Sequence, residues 1–269
     1  MRAMIAAAEW GGEFDGVLDD IVGLFEMPTL IPLELAGVDL SINRTILISW
    51  VMTLVAGTIM FLAFRKPSVV PGKLQSVGEL LVGFIRGLAH DIIGHKGERF
   101  VPLLTTFFVF ILFMNLAKLT PIFMLPPTSR ISFTLFLAGI TWLVYIGAGI
   151  KEQGFGHYFK ELLFPPGVPK ALYVLLTPIE LISGLVLRPL TLMLRLFANM
   201  VAGHILVVIT LVTIHVFLPS MPVGWSVGLF ALIASPLVFA FELLIIGLQA
   251  YIFTMLTAVY ISTSVEAAH

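Results

Sequence analysis

Arg195 sits near the middle of a long apolar stretch, Tyr173–Leu218, within PLTLMLRLFANMVAGH (Pro189–His204). A guanidinium keeps its proton at every physiological pH. Placing it at bilayer depth costs at least ~3 kcal/mol on the mildest insertion scale. A chain tolerates that charge where it faces a partner, a water-filled cavity or a moving counter-charge. Other polar groups accompany it. Glu180, Arg188, Asn199, His204 and His215 share its segment, and Glu242, Gln249 and Tyr260 occupy the next. Arg188, Arg195 and Asn199 are seven and four residues apart, so a helix puts them on one face. Glu242 and Gln249 are also seven apart and share a face.

An antiparallel helical hairpin turning near Met221–Pro222 brings these groups to comparable depths. Arg195 and Gln249 are equidistant from position 222, and His204 and Glu242 from position 223. The spacing predicts an amide–guanidinium pair and an imidazole–carboxylate pair, roughly 10–14 Å apart along the axis. Burial shifts His204 and Glu242 toward neutrality, or each holds the other's charge. Either way such a pair can pass protons through water. Arg195 cannot relay a proton by releasing its own. It can attract a carboxylate, favour its ionised form, and stand as a barrier between two aqueous paths. The pattern reads as a proton path on the outer side, a fixed positive gate at mid-membrane, and a second path near Glu180, Arg188 and Tyr260.

Plainer readings compete with this one. A membrane His–Glu pair can be structural glue. Arg188 lies near the inner boundary and Lys118 near a span end, where both are expected to snorkel. His215 is expected at the interface, and Asn115 in a helix–helix hydrogen bond. His90 and His95 are five apart and do not share a helix face, so no metal site is expected there. Arg195 is the exception, being too deep to snorkel cheaply.

The composition places these groups in a membrane. The chain has 269 residues, 59% hydrophobic and 12% charged, against about 25% charged in soluble domains. Several apolar runs approach or exceed the ~18–20 residues that span a bilayer. Half of the 16 acids precede Leu40, while most bases lie in later loops. There is no cysteine, which excludes disulfides and thiolate chemistry. MRAMIAAAEW lacks a long apolar core, so no cleaved signal peptide is expected. No basic tract or aromatic–basic interleaving points to nucleic acid.

The expected fold is an all-α membrane protein of five transmembrane helices plus an amphipathic surface helix. Residues 1–44 read as an acidic extramembrane segment, with a short surface helix around Phe14–Phe25, and residues 45–269 as the membrane domain. Spans are expected at about 45–64, 100–119, 131–150, 172–218 and 225–262. Between the first two, Leu80, Leu81, Phe84, Ile85, Leu88, Ile92 and Ile93 recur at helical spacing, as in a helix lying on the membrane or against protein. The last two segments far exceed a ~30 Å core, so they either break or tilt steeply. Two long tilted helices joined at PSMPVG (Pro219–Gly224) are the favoured form. Arg65, Lys66, Lys73, Arg86, Lys96 and Arg99 mark the first loop as cytoplasmic, and Lys151, Lys160 and Lys170 the third. Five spans then put the N-terminus outside and the C-terminus in the cytoplasm.

Three stretches resemble subunit a of the F-type ATP synthase. RPLTLMLRLFANMVAGH (Arg188–His204) is similar to that family's signature. IIGLQAYIFTMLTAVYIS (Ile245–Ser262) resembles its C-terminal helix, and FVPLLTTFFVFILFMNLAKLTP (Phe100–Pro121) an earlier span. The resemblance runs from about Leu80 to the C-terminus. It implies a stator beside a rotating ring of c subunits, with b-type peripheral-stalk subunits and the rest of the complex as partners. It implies a hairpin tilted along the ring. Arg195 matches the essential arginine facing the ring carboxylate, and Asn199 and Gln249 match polar residues lining that region. His204 and Glu242 match two outer half-channel positions, with acid and histidine exchanged relative to some members. Glu180 resembles an acid of the inner path, and Arg188 a basic residue before proline. The setting implied is a bacterial plasma membrane, with lipid around the chain. The implied role is proton translocation without catalysis of its own, and no cofactor or metal is expected.

A solitary secondary transporter would show an internal repeat and paired broken helices, and neither is evident. An intramembrane hydrolase would need a nucleophile–base or metal constellation, and HExxH, GxSxG and Cys are all absent. Sodium is the narrower alternative to protons, and the His204–Glu242 pair leans toward protons.

Overall fold

Apolar length and the punctuation between runs determine the architecture. In the computed structural model the described residues are 29–31, 34–35, 38–39, 41–120, 126–164, 169, 172–218 and 224–265. The expected helix around Phe14–Phe25 and the turn Pro219–Val223 lie outside them. Two short antiparallel pairings precede the first span. β1 (Thr29–Ile31) pairs with β4 (Ile42–Asn43), and β2 (Glu34–Leu35) with β3 (Val38–Asp39). Among the described residues, everything after them is helical or connecting.

α1 (Arg44–Phe64) ends at Arg65-Lys66-Pro67, where proline and charge stop an apolar helix. α2 (Lys73–Ile93) is the amphipathic helix. Its buried positions are Gln75, Gly78, Ile85, Ala89 and Ile93, while Leu80 and Phe84 face outward. It does not stop before the second span. A 3-10 segment, Gly94–Phe100, carries it into α3 (Val101–Leu116), so residues Lys73–Leu119 form one 47-residue helical tract. Gly94, at φ 74°, supplies the left-handed residue at the joint. This bend also brings the His90 and His95 rings to 5.1 Å, which their helical spacing alone does not predict.

α4 (Ile131–Gln153) and the short α5 (Phe155–Leu163) follow. α6 (Tyr173–Ile182), a π-helical segment (Ser183–Leu187) and α7 (Arg188–Phe217) make a 45-residue tract. α8 (Trp225–Val265) has 41 residues. Among the described residues, five tracts are therefore long and apolar enough to cross a membrane.

Both long tracts contain prolines, and the structure repairs the carbonyls left by Pro189 and Pro236. Pro189 has no N–H for Leu185 in α-helical pairing or for Gly184 in π pairing. The indole Nε1 of Trp142 donates to Leu185 O at 3.0 Å, and the Tyr145 hydroxyl to Gly184 O at 2.7 Å. Arg188 N–H reaches back five residues to Ser183 O, the π spacing. In α8, Pro236 leaves Leu232 O, and the Ser235 hydroxyl donates to it at 2.8 Å. The sequence reading placed breaks or tilt here without the π segment. That segment follows from Pro189 with two donors waiting on α4.

In lipid, helices associate through close packing and hydrogen bonds more than through apolar burial. One core joins α2, α3, α4 and the C-terminal part of α8 through Ile85, Ala89, Leu104, Tyr145, Ala258 and Ile261. A second joins α3, α4, α7 and α8 through Phe107, Ile111, Leu137, Leu196, Ala250 and Phe253. Ser262 Oγ donates to Ile92 O at 2.8 Å, and Gln153 Nε2 to Ser264 O at 3.0 Å. Lys96 and Arg99 bind Glu152 at 2.8 and 2.5 Å. The first and third loops and the end of α8 therefore share one side of the bundle.

Candidate functional site

The α7–α8 hairpin positions the polar residues. α7 turns Leu192, Met193, Leu196, Met200, Gly203, His204 and Val207 into the bundle. Its opposite stripe is exposed: Thr191, Arg195, Ala198, Ala202 and Ile205. Arg195 therefore projects from the fold, one residue before fully buried Leu196. Among the described residues no carboxylate pairs with it. Two alanines one and two turns away leave room for a neighbour to come close.

Asn199 Nδ2 donates to Gln249 Oε1 at 2.7 Å across the hairpin. Gln249 is thus held by the amide one turn beyond Arg195, and equal spacing had set it opposite the guanidinium itself. The offset is about one helical turn, which side-chain length and helix tilt absorb. Arg195 takes no part in this bond and stays exposed.

Eight residues toward the turn lies a second polar centre, enclosed by the fold. Glu242 is fully buried, and the ammonium of Lys118 forms an ion pair with Oε2 of its carboxylate, both side chains at 0% exposure. This corrects two expectations. Lys118 does not snorkel, and the nearest fixed partner of Glu242 is an ammonium in place of the imidazole. The reason is electrostatic and topological. A buried carboxylate needs a paired charge. The 3-10 turn Ala117–Leu119 ends α3 with Lys118 facing inward. Thr128 Oγ1 donates to Asn115 Oδ1 at 2.5 Å, fixing the incoming chain over that turn. His204 remains beside the pair: it is 3% exposed and within electrostatic reach of Lys118.

Gly203 makes the pair possible. A Cβ there would lie 2.5 and 2.6 Å from the Glu242 carboxylate oxygens and would also collide with Lys118 Nζ. Only a residue without a side chain lets α7 pass this close. Neither Lys118 nor Gly203 figured among the sequence candidates. One signal was present, since Lys118 is the only lysine inside any expected span.

Toward the loop side, Arg188 bonds Thr263 Oγ1 at 3.2 Å and stands 5.6 Å over the Tyr260 ring. Arg188 is half-buried and held by α8, so its head is positioned by protein. Glu180 is half-buried on α6, just before the π segment. His215 is exposed near the turn end of α7. Along the hairpin the order is Arg188–Tyr260–Thr263, then Arg195 with Asn199–Gln249, then Lys118–Glu242 with His204. The arrangement offers two separated polar regions flanking one outward cation.

The sequence profile of the ATP synthase A chain family matches residues 46–262. The chain is 38% identical over 250 residues to ATP synthase subunit a of Frankia alni, covering 92% of this chain and 85% of that one. It is 41% identical over 229 residues to subunit a of Rhodococcus erythropolis, covering 84% and 83%. It is 38% identical over 274 residues to subunit a of Pseudarthrobacter chlorophenolicus, covering 99% of each. The matched region takes in nearly all of the five long apolar tracts and the polar hairpin, and the chain belongs to the ATP synthase A chain family, the subunit a family of ATP synthase.

Proposed function

We propose that this chain carries protons to and from a rotating c-subunit ring through two offset half-channels, with Arg195 keeping them apart. As a subunit a it is a stator component of the membrane sector of a bacterial ATP synthase. The half-channels, the ring contact and the residue roles are our reading. The observation that carries it is the exposed position of Arg195 on the outer stripe of α7, with no carboxylate paired to it among the described residues.

A carboxylate arriving from a neighbouring subunit meets a cation that cannot neutralise itself. In a low-dielectric contact that cation favours the ionised carboxylate. The released proton leaves by the inner region of Glu180, Arg188 and Tyr260. The vacant carboxylate is reprotonated from the outer region of His204 and Glu242 before it returns to lipid. In that region Lys118 is ion-paired with Glu242, and the imidazole of His204 lies beside the pair. Asn199 and Gln249 brace the hairpin beside the gate. The chain makes and breaks no covalent bond of ATP, and its work is positional and electrostatic.

The orientation follows from the basic loops. Lys96, Arg99 and Lys151 gather on one side of the bundle, which we assign to the cytoplasm of a bacterial plasma membrane. The N-terminus then lies outside and the C-terminus inside. Residues 1–44 form the extramembrane segment and 45–269 the stator domain, with b-type stalk subunits as further partners. Arg195→Ala tests the assignment: the complex should assemble, and proton-driven ATP synthesis in inverted membrane vesicles should vanish. Retained synthesis would refute the gate. Sodium coupling is separated by driving synthesis with a sodium gradient in the presence of a protonophore, where none is expected.

A further inference from the structure

We propose that the junction of α1 and α2 is a binding site for the phosphate headgroup of an anionic phospholipid. The loop between Phe64 and Lys73 folds into a concavity of about 480 Å³, lined by Arg65, Lys66, Ser68, Gly72, Lys73 and Gln75. It is a shaped surface, held by one buried amide. Gln75 is 7% exposed. Its Oε1 accepts the Ser68 N–H at 3.2 Å, and its Nε2 donates to Ser68 O at 3.1 Å and to Glu79 Oε1 at 2.7 Å. The paired bonds to Ser68 clamp the loop onto the first turn of α2. Phe64, just before the loop, packs against α2, where a Cβ on Gly78 would sit 3.1 Å from Phe64 Cζ.

Among the described residues, the three cations of this cradle outnumber the carboxylates bonded to it. Arg65, Lys66 and Lys73 form no ion pair among the described residues, whereas Arg86, Lys96, Arg99 and Lys118 all do. Glu79 is the one carboxylate bonded to the cradle, through Gln75. The first turn of α2 has no side-chain cap at Gly72, so its N–H groups add to the positive field.

Apolar residues beside the cations identify the source of the phosphate as a lipid. Val69 and Val70 are 103% and 84% exposed at the loop tip, between Pro67 and Pro71. Leu62 and Leu74, at 51% and 44%, line the same concavity. The loop lies at the end of an apolar span, where headgroups and acyl chains meet. Cations for a phosphate and aliphatic side chains for the chains below it suit an amphiphile, and basic pockets at this depth take anionic headgroups.

The test is photo-crosslinking in vesicles containing the intact complex, using phosphatidylglycerol that carries a photoreactive group near the glycerol. Peptide mapping should place label within residues 62–75. The R65Q/K66Q/K73Q variant should lose it, and K73Q alone should lower it roughly fivefold, the value of one cation near a membrane surface. K151Q/K160Q, in the other basic loop, should leave it unchanged, with assembled complex quantified in every sample. A phosphatidylcholine probe should label weakly. Unchanged labelling in the triple variant, or equal labelling by both probes, would overturn the site. Full displacement of the lipid probe by inorganic phosphate would assign the cradle to the free ion and overturn the lipid assignment.

Discussion

The α7–α8 hairpin carries two charged centres that are balanced in opposite ways. At Lys118–Glu242 the fold supplies both signs, buries them fully and removes a side chain at Gly203 to let them meet. At Arg195 it supplies one sign and turns it outward. Eight residues, about 12 Å along the axis, separate Arg195 from Gly203 on one helix, and the two differ in face and packing. An internally balanced pair needs nothing from outside. A lone cation at this depth is stable only if a neighbour or water completes it. The comparison separates residues whose loss should damage the fold from the residue whose loss should damage only the coupling.

That separation can be broken by experiment. The largest effect on activity belongs to Arg195→Ala, with ATP synthesis lost and assembly intact. The largest effect on stability belongs to Lys118→Met, which leaves a carboxylate buried and unpaired. It should destabilise the chain by about 3–5 kcal/mol, read as loss of assembled complex. Adding Glu242→Gln to it should restore most of that assembly, because the orphaned charge is gone. If the single and double variants assemble equally, the pair is not the structural unit described. Gly203→Ala comes next, at about 1–3 kcal/mol from forced displacement of the carboxylate, measured by thermal unfolding of the complex. Gln249→Ala should cost about 0.5–1.5 kcal/mol, the value of one amide bond at the hairpin, with a modest fall in synthesis rate.

Much of this was legible in the sequence, for identifiable reasons. The span positions follow from apolar length. Equal distance to the turn brings the right segments together but misses both pairings, since Gln249 bonds Asn199 and Glu242 pairs with Lys118. The role we propose for Arg195 rests on the cost of its depth. Lys118 was misread because its place near a span end suits snorkelling, and only the 3-10 turn at Ala117–Leu119 and the Asn115–Thr128 bond reveal that it points inward. The continuous passage from α2 into α3 was hidden by the polar run GHKGERF, which reads as a loop and folds as a 3-10 turn. The π segment was unreadable, because Pro189 signals a lost N–H without saying that Trp142 and Tyr145 would take over its acceptors. These misses are tertiary: each depends on what another helix brings to the position.

The outward face of Arg195 is best tested by proximity. The chain has no native cysteine, so Ala198→Cys, one turn along the exposed stripe, is a unique thiol. It should be combined with a cysteine placed one turn from the carboxylate of the ring subunit and oxidised in assembled membranes. The account predicts a disulfide between the two chains, since such a bond needs Cβ atoms within about 4.5 Å. Efficient labelling of Cys-substituted position 198 by lipid-soluble thiol reagents, with no cross-link at any cysteine along the ring helix, would contradict it.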